Sequence, residues 1–148
     1  MNIHAFHKLR DYQEREKEER QKKYQSAIDV FEEKATTLYN LLKEKENMEA
    51  AVDQELGSGM VDLHSIHYYQ ARIKNMEEEV SRLQPEVHKA RQNMNRLEDQ
   101  RDKAYVEVKK YEKIIDRKQQ EFQNWVKYEE SKEMDGISIQ QFSNKVNR

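Results

Sequence analysis

The sequence predicts an all-α protein, an antiparallel two-helix coiled-coil hairpin in the form of a long helical rod. Three observations predict it: a ladder of apolar residues in steps of four and three from Ile66 to Trp125, a second ladder from Tyr24 to Leu56, and one strong break between them at Gly57-Ser58-Gly59. A repeat averaging about 3.5 residues keeps a narrow stripe turned toward a partner helix over its whole length. The composition agrees. Of 148 residues, 38% are charged and 35% hydrophobic, enough apolar side chains for a two-helix seam but too few for a multilayer core, so one elongated domain is expected.

The first helix is expected over about residues 3–56. Its ladder reads Tyr24, Ile28, Phe31, Ala35, Leu38, Leu42, Lys45, Glu49, Val52 and Leu56. Before Tyr24 the pattern changes: between Gln13 and Lys23 there is no apolar residue, and nine of eleven positions are charged. Glu and Lys or Arg three or four apart each add a few tenths of a kcal/mol to an isolated helix, so the helix persists while its adhesive face disappears. A charge run of this kind is usually a solvated face.

The turn is expected at residues 57–61, with Met60 and Val61 leading to Asp62 as N-cap of the second helix. Two long helices joined by so short a turn fold back on each other. With the reversal centred on Gly59, residues whose numbers add to 118 face each other. Val52 then meets Ile66, Leu42 meets Met76, Leu38 meets Val80, Phe31 meets Val87, Ile28 meets Ala90 and Tyr24 meets Met94. The charged stretch falls opposite Leu97, Ala104 and Tyr105, where the hairpin should be loose, splayed or closed by another molecule.

The second helix is expected over about residues 62–134, with a kink near Pro85, because proline removes one backbone bond and crowds the carbonyl of Ser81 while the ladder keeps its phase. The ladder runs through Ile66, Tyr69, Ile73, Met76, Val80, Leu83, Val87, Ala90, Met94, Leu97, Ala104, Val108, Tyr111, Ile115, Phe122 and Trp125, interrupted only by Arg101 and Lys118. Past Glu133 the pattern weakens at Asp135-Gly136, and Ser138-Ile139-Gln140-Gln141 resembles a capping box before Phe142 and Val146. Residues 135–148 are expected to form a flexible tail or a short separate helix.

These features exclude several functions. Lys and Arg total 27 against 29 Asp and Glu, a net charge of −2 with both signs interleaved, which argues against nucleic acid as a partner. No apolar run approaches a membrane span, the N-terminus lacks a signal-peptide pattern, and cysteine is absent, so a soluble cytoplasmic protein is expected. Three glycines cannot build a phosphate loop or a nucleophile elbow, and carboxylates on solvated helices have no pocket to shift their pKa values. No enzyme activity and no cofactor are expected. His4 with His7, and His64 with His67, stand three apart, but two histidines do not complete a zinc site, so no metal is expected either.

Met76 and Met94 lie on the seam and are filler, whereas Met48 flanks it. The least ordinary feature is the far end of the second helix. At the limit of the register Ile3 faces Ile115, the first helix ends, and Phe122, Trp125, Val126 and Tyr128 continue the stripe with no intramolecular partner. An exposed aromatic patch of this kind marks an interaction site, unless the N-terminal residues or the Ile139–Phe142 segment fold over it.

Five segments stand in a telling order and spacing: Phe6 and Leu9 in a charged N-terminal helix, the Gly57-Ser58-Gly59-Met60 turn, Tyr68-Tyr69-Gln70 with Ile73 and Met76, Val108-Lys109-Lys110-Tyr111-Glu112-Lys113, and Glu133-Met134-Asp135 leading to Phe142. Together they resemble the FliJ family, the small coiled-coil component of the bacterial flagellar export apparatus. Where the family often has an apolar or aromatic residue after its Tyr-Gln pair, this chain has Ala71 and Arg72.

The resemblance implies a stalk similar to the central shaft of rotary ATPases. It implies binding to the hexameric export ATPase, whose ring it helps to assemble or stimulate, to the cytoplasmic domain of the membrane export gate, and to export chaperones. It also implies a cytoplasmic location at the inner face of the cell membrane, at the flagellar base. The ring would contact Phe122, Trp125, Val126 and Tyr128, and the gate would contact Leu41, Met48, Tyr69 and Ile73, of which Tyr69 and Ile73 are also seam positions. Two alternatives stay open: a self-associating structural coiled coil without an ATPase partner, and a metal-dependent activity at His64 and His67.

Overall fold

Two helices make up the fold, as the computed structural model shows for residues 3–60 and 62–146. Helix α1 spans Ile3–Gly57 and helix α2 spans Leu63–Val146, and the two pack against each other without any strand among the described residues. The all-α hairpin predicted from the two ladders is therefore the fold. Val61 of the expected turn, Met1 and Asn2, and the last two residues of the expected tail lie outside the described residues.

The connector is built as its residues dictate. Ser58 closes α1: its N–H donates to the carbonyls of Gln54 (3.1 Å) and Glu55 (3.3 Å), and its hydroxyl donates to Glu55 O at 2.8 Å. Gly59 follows with φ +76°, a conformation that costs an L side chain about 1–2 kcal/mol and glycine little. Asp62 is the N-cap of α2. Its carboxylate accepts from the His64 N–H and from the Ser65 hydroxyl, both at 3.1 Å, while its carbonyl takes the first helical bond from Ile66.

Contacts group the described residues into two compact units, one of residues Glu18–Asp102 and one of residues 3–17 with 103–146. In the first unit, the α1 residues that are at least half buried include Arg20, Tyr24, Ala27, Phe31, Lys34, Leu38, Leu41, Lys45, Met48, Val52 and Glu55. Their counterparts on α2 are Arg101, Leu97, Met94, Ala90, Val87, Leu83, Val80, Met76, Ile73, Tyr69 and Ile66. Taken in these orders, each residue pairs with one whose number adds with its own to 121.

Contacts between the helices scatter around that value, as long side chains allow. Lys34 meets Glu86 at 3.4 Å and Arg20 donates to the Gln100 carbonyl at 3.1 Å, while Lys45 meets Glu77 at 3.5 Å, Arg91 lies over the Phe31 ring at 5.4 Å, and Arg72 reaches back to Glu44 at 3.1 Å. The expected register is thus corrected by three residues: Leu38 is level with Leu83, not Val80, and Val52 with Tyr69, not Ile66. Most of the shift arises in the connector, which the helix ends at Gly57 and Leu63 centre on Met60 instead of Gly59.

In the second unit the register is the same. Ile3, Phe6, Arg10, Gln13 and Lys17 are half buried, level with Lys118, Ile115, Tyr111, Val108 and Ala104. The sequence led us to expect a loose seam here, and the structure reverses this: Ala104 is 1% exposed, Val108 2% and Ile115 6%, among the most buried side chains of the chain. Long side chains explain the reversal. Half-buried Lys17 stands level with Ala104, Gln13 with Val108 and Arg10 with Tyr111, so side chains with apolar stems can cover this seam while their charged ends are paired, as in Lys17–Glu14 at 2.6 Å and Arg10–Glu112 at 3.7 Å.

Along α2 the helix stays continuous through Pro85, which is exposed, as is Ser81, whose carbonyl the proline leaves without its helical donor. It also runs on through Asp135 and Gly136 to Val146, twelve residues past the end expected from the weakening pattern. Extending an existing helix adds about one hydrogen bond per residue fixed, without the cost of a new nucleus.

Candidate functional site

In the unit formed by residues 3–17 and 103–146, α1 begins at Ile3, level with Lys118. Beyond that level α2 has nothing of α1 beside it. From Gln119 to Val146 every side chain is exposed except Val126, which is half buried. Charged residues tolerate this; aromatic ones lose their reason for being there unless something else covers them.

Phe122 is 64% exposed, Trp125 57% and Tyr128 62%. One turn apart on the helix, the rings of Phe122 and Trp125 stack with centroids 6.1 Å apart and planes 29° apart. The Lys132 ammonium lies 5.5 Å from the Tyr128 ring. Two shallow concavities flank this pair. One, of about 540 Å³, is lined by Ile3, Lys118, Gln119, Phe122 and Gln123. The other, of about 430 Å³, is lined by Trp125, Val126, Glu129, Glu130, Lys132 and Glu133. A lining of two apolar side chains, three carboxylates and one ammonium suits a protein surface that offers apolar side chains next to basic ones.

The four residues expected to meet a second partner lie elsewhere. Leu41, Met48, Tyr69 and Ile73 are all half buried in the seam of the unit Glu18–Asp102. For Tyr69 and Ile73 this matches their place in the ladder. Met48 was expected to flank the seam and instead stands level with Ile73, because the α1 stripe passes through Ala27, Lys34, Leu41, Met48 and Glu55 and not only through their neighbours. Beside Tyr69 the outward ring is Tyr68, 60% exposed and edge-on at 5.8 Å.

One surface escaped the sequence reading. On the side of α2 turned away from α1, Tyr105, Val106, Lys109, Lys110, Lys113, Ile114 and Arg117 line a groove of about 610 Å³. Lys109 lies 5.4 Å from the Tyr105 ring and 3.3 Å from the Glu112 carboxylate, and that hydrogen bond holds its pKa above the ordinary lysine value. Four cations at spacings of one, three and four residues were the available signal, masked by the balanced charge of the whole chain.

Among the described residues no three histidine or carboxylate side chains gather as metal ligands, and no helix is long and apolar enough to cross a membrane.

The chain matches the family described as Flagellar FliJ protein over residues 1–147. It is similar to the Flagellar FliJ protein of Bacillus subtilis (strain 168), with 34% identity over 137 residues, covering 93% of this chain and 92% of that protein. No solved structure matches it significantly.

Proposed function

The chain belongs to the FliJ family of flagellar proteins, and on that premise we propose that it is a non-enzymatic stalk of the flagellar protein export apparatus. It binds the hexameric export ATPase, promotes assembly or turnover of that ring, and engages the cytoplasmic domain of the membrane export gate and export chaperones. On this reading it works in the cytoplasm, held at the inner face of the membrane by its partners.

The observation that carries the reading is the aromatic overhang. Phe122 and Trp125 stack in solvent on a helix that has outrun its partner, in the unit that also holds the start of α1. Apolar area of this size on a helix face is what hot-spot contacts use. The mechanism is mechanical: one asymmetric hairpin inside a symmetric ring contacts the subunits unequally and so biases which of them close around nucleotide.

Adding the chain to the matching purified export ATPase should raise its turnover. Phe122→Ala with Trp125→Ala should remove that effect and leave the far-UV circular dichroism unchanged. A wild-type chain that leaves turnover unaltered would sink the reading.

A further inference from the structure

In the middle of the unit Glu18–Asp102 the two helices offer each other unequal stripes. That of α2 is narrow there, one residue per step from Val80 to Met94, and widens only toward its ends, where Arg72 with Ile73 and Leu97 with Glu98 are adjacent half-buried pairs. That of α1 is wide: Ala27 with Ile28, Lys34 with Ala35, and Leu41 with Leu42 are adjacent pairs in which both members are at least half buried. A wide stripe holds two ladders. One reads through Ala27, Lys34, Leu41 and Met48 and is centred in the structure; the other reads through Ile28, Ala35, Leu42 and Glu49.

From these pairs we infer that this hairpin has two registers, half a heptad apart, and that passing between them carries Leu41 and Met48 from the seam to the surface. In the second register residues whose numbers add to 118 stand level. The slide is about 4.5 Å along the axis, with α1 turning by roughly half of the 100° between successive residues.

Three further features agree. Val52 is level with Ile66, Leu42 with Met76 and Phe31 with Val87 in the shifted register, so the seam remains apolar. Glu46 comes level with Arg72, Glu44 with Lys74 and Asp29 with Lys89, which replaces the exposed pairs that the slide breaks, Lys34–Glu86 among them. The connector can follow, because Ser58, Gly59 and Met60 are exposed and a Cβ at Gly57 or Gly59 would meet nothing within 4 Å. Leu41 and Met48 are thereby an apolar face exposed only in the shifted register, and anything that binds that face selects this register. That the export gate binds it rests on the function proposed above; the two registers do not.

The absence of native cysteine makes the test direct. Three double variants of the full chain are oxidised without any partner: Leu38→Cys with Leu83→Cys for the observed register, Leu38→Cys with Val80→Cys for the shifted one, and Leu38→Cys with Glu79→Cys, at nearly the same height but off the stripe. The first should close fastest. The second should close completely but about 10- to 100-fold more slowly, as a minor state populated at about 1–10% requires. The third should stay reduced. A second pair that stays reduced, or a third that closes as fast as the second, would overturn the two registers. Peroxide should then oxidise Met48 several-fold faster in the chain locked through Val80→Cys than in the chain locked through Leu83→Cys, read by peptide mass; equal rates would overturn the surfacing of Met48. Failure of either leaves the ATPase experiment untouched.

Discussion

The guanidinium carbon of Arg101 lies 4.5 Å from the centre of the Tyr24 ring. Arg101 is one of two residues that interrupt the α2 ladder, and its place in the seam follows from what surrounds it. Its Nε and one terminal nitrogen donate to Asp102 at 3.1 and 2.9 Å, and its face covers the tyrosine. That hydrogen bond to Asp102 holds the guanidinium pKa above its already high ordinary value. A charge on the stripe is thus accommodated by an aromatic face and a carboxylate beside it.

A double-mutant cycle measures the ring contact. Tyr24→Leu and Arg101→Met each keep apolar volume in the seam, so the coupling between them isolates the cation on the ring. It should be about 0.5–1 kcal/mol, the range for partly exposed cation–π pairs. Urea unfolding of the four chains gives the value, and a coupling near zero would mean that the ring contributes only apolar area.

Two valines two positions apart should differ widely. Val108 is 2% exposed, and Val108→Ala removes two buried methyl groups and leaves a gap, for a loss of about 1.5–2 kcal/mol. Val106 is 62% exposed, and Val106→Ala should change stability by less than about 0.5 kcal/mol. Equal effects in thermal or urea unfolding would show that the polar stretch of α1 does not seal Val108.

The turn offers a test of backbone and cap separately. Gly59→Ala places a Cβ at φ +76° and should cost about 1–2 kcal/mol although the space around it is open. Asp62→Ala should cost about 1 kcal/mol and Asp62→Asn much less, because an amide oxygen still accepts from the His64 N–H. Gly136→Ala should act in the opposite direction: the site is mid-helix and open, and removing glycine should favour the helix locally by about 1 kcal/mol. Amide hydrogen exchange around Gly136 would register it as slowed exchange in the last turns.

Which of these features could be read in advance depended on how local their causes are. Asp62 as N-cap, a chain reversal just after Gly57 and the inward ladder of α2 through Ile115 rest on residue type and spacing alone, and all were legible. The register was not, because α1 carries two ladders and only the centring of the connector on Met60 chooses between them. Nor was the closed seam at Ala104 and Val108 legible, since it depends on the aliphatic stems of Lys17 and its neighbours, which polarity counts as non-adhesive. Met48 was misplaced for the same reason as the register. The aromatic overhang at Phe122 and Trp125 could be located, because it requires only that α1 end before α2 does.

Trp125 is the chain's single tryptophan, and its exposure makes it a reporter of whatever covers the overhang. In the isolated chain its emission should lie at long wavelength and be readily quenched by acrylamide, since more than half of the residue faces water. Phe122→Ala should change this little, because the stacked ring covers one face and leaves the edge open. On binding the export ATPase the emission should move to shorter wavelength and quenching should fall, both saturating with ring concentration. Self-association through the same stripe predicts the blue shift without any partner, growing with protein concentration and reversing on dilution. The two occupants are therefore separated by one titration with and one without the ring. An emission already blue and unquenchable in dilute chain would mean that a segment of the chain itself covers Trp125.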